Sequence, residues 1–240
     1  MFRFLSLILF FLVFVIPTRA ETVNFKAADG LEITADFQKP AGSYNAIIVL
    51  FHMANASRGE YRDIASVLNE LGYATLAVDQ RSGGTFNGIK NETVGRAGGG
   101  LGYAKAIPDL EAASKWARAN SSARLVGVLG SSYSSSLVLV MAGKDPKFAD
   151  AVISFSPGEY FSDRQFVSNA LPGIGVPVFL SAARGEAAQW KPFAGKIKSP
   201  VTGFVPEGNG RHGATALVSG DRAEYWVALK AFLAEHLPAK

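Results

Sequence analysis

The chain has 240 residues, a net charge of +4 and no cysteine. Without cysteine there are no disulfides, no thiolate metal sites, no cysteine catalysis and no lipid-modified cysteine. No lysine or arginine cluster tracks a phosphate backbone, which argues against a nucleic-acid partner.

Met1-Phe2-Arg3 precedes Phe4 to Ile16, an uncharged run that is apolar except for Ser6, and Thr18-Arg19-Ala20 follows. Crossing the hydrocarbon takes about 20 apolar residues, so residues 1–20 read as a secretory signal peptide rather than a spanning helix. A cysteine-free exported chain points to a bacterial periplasm or medium. It implies no stable membrane insertion once the leader is removed. By length, residues 21–240 are expected to form a single domain.

Thr22 to Ala27 and Leu31 to Phe37 alternate in polarity around Asp29-Gly30, which predicts an antiparallel hairpin at a sheet edge. Ala46 to Phe51 is apolar throughout, as an interior strand is, and ends at His52-Met53-Ala54. Arg58 to Leu71 has helical spacing, and Ala74 to Val78 is the next strand. Residues 83–103 are glycine-rich and read as a long loop, with Phe86 and Tyr103 as apolar contacts over a site. Ala104 to Ala119 is amphipathic, with Pro108 in its first turn or at a kink.

Leu125 to Leu129, Ala149 to Phe155, Val176 to Leu180 and Val201 to Val205 read as further strands, and residues 221–236 as a last helix. Strands alternating with helices predict an α/β fold with a mostly parallel, doubly wound sheet. The stretch of about 20 residues after Phe155 is too short for a large helical cap.

One stretch stands out. Arg124 to Met141 runs strand, tight turn, helix, and the turn is Gly130-Ser131-Ser132-Tyr133-Ser134. A strained tip needs small neighbours two residues away on each side, and Gly130 and Ser134 meet that need around Ser132. This G-x-S-x-S pattern resembles the α/β-hydrolase family, with Ser134 standing where the family usually has glycine. Asp79-Gln80-Arg81-Ser82 also resembles that family's Asp-x-Arg-Gly turn. Asp79 and Arg81 are expected to be structural, as an Asx-type turn and a local ion pair.

In an open parallel sheet, ligands sit outside the carboxyl ends of the strands. The resemblance places a nucleophile at Ser132 and a base at His212, which lies in a loop after the last strand and is followed by Gly213. His52 precedes the serine and so has the wrong order; it is expected to bond within its own loop. His236 near the chain end reads as a surface residue. For the acid, Glu186 follows a proline-led strand, and Glu159 follows the strand before it; both stay open. Oxyanion donors are expected from the N–H of Tyr133 and from one near Met53 or Ala54, although Met53 stands where members often carry glycine.

Gly208 to Gly213 spells G-x-G-x-x-G, but only one helix follows it, so a dinucleotide site does not fit. No metal-ligand spacing appears and no cofactor is implied. The resemblance implies a small dienelactone-hydrolase-like esterase acting on a small-molecule ester or acyl substrate. A peptidase or thioesterase would use the same parts, and a non-catalytic binding protein on this fold is the competing class.

Overall fold

The computed structural model describes residues 20–240. The expected signal peptide therefore lies outside the described residues, apart from Ala20. In chain order the elements are β1 (Glu21–Lys26), β2 (Glu32–Gln38), β3 (Ala46–Phe51), a 3-10 turn (Arg58–Tyr61), α1 (Arg62–Glu70) and β4 (Ala74–Val78). The ribbon β5 (Thr85–Phe86) and β6 (Ile89–Lys90) follows, then α2 (Glu92–Arg96), α3 (Ile107–Asn120), β7 (Leu125–Ser131) and α4 (Tyr133–Lys144). The last are β8 (Ala151–Phe155), β9 (Val178–Ser181), α5 (Ala187–Ala194), β10 (Val201–Phe204) and α6 (Arg222–His236).

Eight strands form one sheet in the order β1-β2-β4-β3-β7-β8-β9-β10. The β1–β2 hairpin pairs antiparallel and β2 joins β4 antiparallel, while β4, β3, β7, β8, β9 and β10 run parallel. The apolar runs of β3, β4 and β8 are buried along their whole length, because helices cover both faces. Ile47, Val49 and Phe51 share one core with Leu110 of α3, Leu137 of α4 and Trp190 of α5. Ile48 and Leu50 share the other with Ile64 of α1 and with Leu229 and Phe232 of α6.

From β3 the chain goes to β4 on one side, and β7 then takes the other side. That reversal opens a crevice at the carboxyl ends of β3 and β7, where such sheets bind ligands. Met53 and Ser132 lie at those two strand ends.

Two regions depart from the sequence reading, and a third, residues 156–177, follows it. Residues 83–103 are not plain loop: they contain the β5–β6 ribbon and α2, whose N-terminus Asn91 caps by accepting the Val94 N–H at 2.9 Å. Residues 187–194 form α5, which Pro192 inside it hides from a periodicity reading. Residues 156–177 do not rise over the sheet as a cap; Phe161, Val167 and Leu171 are buried in the core beside α4.

Asp79 and Arg81 are structural, but not as a local pair. Asp79 accepts from the Arg58 guanidinium at 2.5 Å and from the backbone N–H of Arg58 and Glu92. Arg81 pairs with Asp109 of α3 at 2.6 Å and with Asp29 of the hairpin turn. The two charges therefore tie β4 to distant segments. A short-range turn motif concealed this, because both partners lie far away in sequence.

Candidate active site

The turn between β7 and α4 holds Ser132 at φ 57° and ψ −125°, a left-handed conformation that non-glycine residues rarely adopt. Such a bend brings the start of α4 back against the end of β7. A Cβ on Gly130 would lie 2.4 Å from the Ser134 carbonyl oxygen and 2.6 Å from Cα of Ser135, so only glycine fits there. The Ser132 N–H donates to Phe155 O at 2.9 Å, and Ser135 Oγ donates to Ser132 O at 2.5 Å. Ser134, in place of the usual glycine, donates to His52 O at 2.6 Å and accepts from Gln80 Nε2 at 2.7 Å. It thereby fastens the loop after β3 to the serine turn.

The loop after β10 brings His212 over this turn, with Nε2 2.8 Å from Ser132 Oγ. Its Nδ1 lies 2.6 Å from Glu186 Oε1, on the 3-10 turn after β9. A carboxylate only accepts, so Nδ1 carries the hydrogen and the neutral ring leaves Nε2 free to accept from Ser132. Ser132 is only 8% exposed, whereas the His212 side chain is 43% exposed. The Glu186 hydrogen bond raises the His212 pKa above the ordinary imidazole value against the opposing effect of burial, and the charges of Glu186 and Glu60 add to the rise. Burial pushes the Glu186 carboxyl upward, but its His212 and Ser156 hydrogen bonds outweigh that and hold it below the usual carboxylate value.

Ser156 directly follows β8 and so stands among the residues at the strand ends, but the sequence gives it no role. It sits at φ 61°, donates to Glu186 Oε2 at 2.6 Å and accepts the Gly213 N–H at 2.8 Å. One hydroxyl thus braces both the carboxylate and the loop of His212. A lone serine after a strand carries no sequence signal for that work. Glu159 is elsewhere engaged: its two oxygens accept the N–H groups of Val167 and Ser168 at 2.9 and 2.8 Å.

Tyr133 opens α4, where the first N–H groups have no intrahelical acceptor. Its ring stacks on Tyr103 with centroids 4.4 Å apart. The backbone of Phe86 packs against Gly59 of the 3-10 turn. Met53 has no free N–H to offer, which corrects the expectation for that residue: it donates to Glu60 Oε2 at 2.7 Å. On the same loop the Ala54 N–H has no hydrogen-bond partner among the described residues.

His52 is fully buried, with Nδ1 2.8 Å from Met53 O and Nε2 accepting the Gln80 N–H at 3.0 Å. It joins two loops instead of bonding only within one. His236 is not a plain surface residue: it is half-buried, edge-on to Phe232, and its Nε2 lies 3.7 Å from Glu235. Among the described residues, no group of three or more His, Asp or Glu is placed to hold a metal ion. Among the same residues, no helix is long and apolar enough to cross a membrane.

A family model described as serine aminopeptidase, S33, matches residues 42–194. No curated protein matches the chain in sequence. An esterase from Pyrococcus furiosus superposes with a TM-score of 0.73 at 18% identity, covering 92% of each chain. A dienelactone hydrolase from Anabaena variabilis gives 0.69 at 19% identity, covering 92% of this chain and 99% of that one. An acylaminoacyl peptidase from Pyrococcus horikoshii gives 0.69 at 17% identity, covering 94% of this chain but 43% of the peptidase. At these identities the likeness is one of fold.

Proposed function

Since the chain belongs to the serine aminopeptidase, S33, family of α/β hydrolases, we propose that it is a serine esterase that hydrolyses modest-sized carboxylic esters through an acyl-enzyme on Ser132. The observation that carries this reading is the continuous relay from Ser132 Oγ through His212 to Glu186, at 2.8 and 2.6 Å. A serine hydroxyl is a weak nucleophile at its own pKa and needs such a base within hydrogen-bond reach.

Ser132 Oγ attacks the acyl carbonyl while His212 Nε2 takes its proton. His212 then gives that proton to the departing alkoxide, and Glu186 holds the ring and stabilises its charged form. Water, deprotonated by the same nitrogen, releases the acid and restores Ser132. The Tyr133 and Ala54 N–H groups hold the oxyanion, with Ala54 taking the place expected of Met53.

An aminopeptidase is the competing reading, favoured by the family description. It needs a carboxylate for the substrate's amino terminus. Glu186 is bound to His212 and Ser156, Glu159 to two backbone N–H groups, and Glu60 to Met53, so none of these three is spare. The apolar leader, with export, supports action outside the cytoplasm.

A fluorophosphonate probe tests the chemistry. Labelling of Ser132, abolished in Ser132→Ala and slowed in His212→Ala, supports it; folded protein left unlabelled refutes it. A series of p-nitrophenyl esters beside aminoacyl anilides then separates the classes, and turnover of the anilides alone refutes the ester reading. His212 must be neutral to act, and its pKa is raised, so labelling falls away as pH drops through that raised value.

A further inference from the structure

Glu60 lies on the 3-10 turn before α1, only 3% exposed, yet it touches the site from behind. Its Oε2 accepts the Met53 N–H at 2.7 Å and its Oε1 accepts the Ser131 hydroxyl at 2.7 Å. Ser131 Oγ in turn accepts the Ala214 N–H at 2.9 Å, two residues beyond His212. A Cβ on Gly213 would lie 2.4 Å from that same Oγ, so the loop is seated hard on Ser131. One carboxylate therefore links the loop after β3, the end of β7 and the loop of His212.

We propose that Glu60 is a positioning residue of the active site: its carboxylate holds the oxyanion loop against the strand bearing Ser132, and its charge sets the pH range in which His212 is a base. This rests on the serine-hydrolase reading above.

A neutral side chain would serve a purely mechanical peg, and burying a charge without a cation is costly. Among the described residues, no lysine or arginine pairs with Glu60. The charged groups around it are few. Arg58 on its own turn is closed into an ion pair with Asp79 at the end of β4. Arg62 and Asp63 of α1 pair with each other at the surface, and Lys90 of the ribbon is exposed. His52 of the β3 loop has its pKa lowered by burial, and Tyr61 has its raised by the same cause. That leaves His212 as the ionisable partner whose charge Glu60 feels.

Burial pushes the Glu60 carboxyl up to about 7, against the pull of the Met53 N–H, the Ser131 hydroxyl and the His212 charge. Each group's charge acts on the other's titration, so the two are coupled. Ionised Glu60 stabilises protonated His212 and so raises the pH at which the base becomes free. Removing that charge lowers it.

The test uses Glu60→Gln, which keeps the shape and one acceptor but cannot ionise. The chain has three histidines, so His212 can be followed directly by proton NMR and assigned by its loss in His212→Gln. The expected result is a His212 pKa lower by about half a pH unit or more in Glu60→Gln. The acidic limb of fluorophosphonate labelling moves the same way, with a slower plateau. Superimposable titrations in a folded variant overturn the proposal while leaving the serine-hydrolase reading intact, whereas absent labelling in the wild type sinks that reading instead. Should Glu60→Gln fail to fold, Ser131→Ala removes one donor from Glu60 and keeps it protonated to higher pH. It too is expected to lower the His212 pKa, and an unmoved value there overturns the proposal.

Discussion

Two glutamates act on His212 from either side of β7, and their settings push them in opposite directions. Glu186, at the end of β9, accepts from His212 and Ser156 and keeps 24% of its side chain exposed. Glu60, beyond β3, also accepts two hydrogen bonds but is 3% exposed. Burial raises both; at Glu186 direct contact with His212 overcomes it, and at Glu60 nothing does, leaving its pKa at about 7. The count of hydrogen bonds does not decide the outcome. Depth, and whether the cation is in contact, does.

The largest expected effect breaks the pair at its exposed member. Glu186→Gln lets Nδ1 face an amide that can donate as well as accept, so the ring no longer has one enforced tautomer. Loss of the acid in comparable relays costs about 10^4 in rate, and a fall of about 10^2 to 10^4 in kcat/KM is expected here. Glu159→Gln, the other carboxylate open on sequence grounds, is expected to leave kcat/KM within about two-fold, a change of less than half a kcal/mol. Equal losses in the two variants would remove Glu186 from the relay.

The contrast between the glutamates also marks what the sequence can and cannot disclose. The apolar runs of β3, β4, β7 and β8, the Asp29-Gly30 turn and the glycine before Ser132 each carry a local signal, because burial on two faces or a bend at one residue constrains nearby side chains. The strand-end rule brought Ser132, His212 and Glu186 into view. It was silent on Glu60, since a glutamate near a helix start is ordinary. It was equally silent on Ser131 and pointed to Ser156 without giving it a role; their hydroxyls work across 83 and 57 residues of chain, to Ala214 and Gly213. Arg81 illustrates the same limit, because its partners Asp29 and Asp109 come from a hairpin and a helix that only folding brings together.

A smaller effect sharpens the comparison by loosening Glu186 without removing it. Ser156→Ala takes away one of the two side-chain donors to Glu186 and the acceptor of the Gly213 N–H. A hydrogen bond to a charged group contributes about 1.5–3 kcal/mol, so a loss of about ten-fold in kcat/KM is expected, with the acidic limb moved to lower pH as the Glu186 hold on His212 weakens. A loss as large as that of Glu186→Gln would mean that the loop of His212, rather than the carboxylate, depends on Ser156. Steady-state rates across pH, read beside a thermal melt, tell these apart.

The smallest effect is expected on the Glu60 side, at the departure from the family pattern. Ser134→Gly restores the usual turn but strips His52 O of its donor and Gln80 Nε2 of one acceptor, while Gln80 keeps Tyr133 Oη at 3.1 Å. Lost hydrogen bonds of this kind cost about 1–2 kcal/mol, and the added backbone freedom of glycine in a helix costs about 0.5–1 kcal/mol more. For a chain of this size each kcal/mol lowers the melting temperature by about 2–4 °C. The Met53 loop still hangs on Glu60, so kcat/KM is expected to change by less than about three-fold, under 1 kcal/mol. If Ser134→Gly instead melts as the wild type does and loses rate ten-fold, the loop after β3 is placed by Ser134 and not by Glu60. In the double variant Ser134→Gly with Glu60→Gln, a rate loss greater than the product of the single losses shows that both hold the same loop.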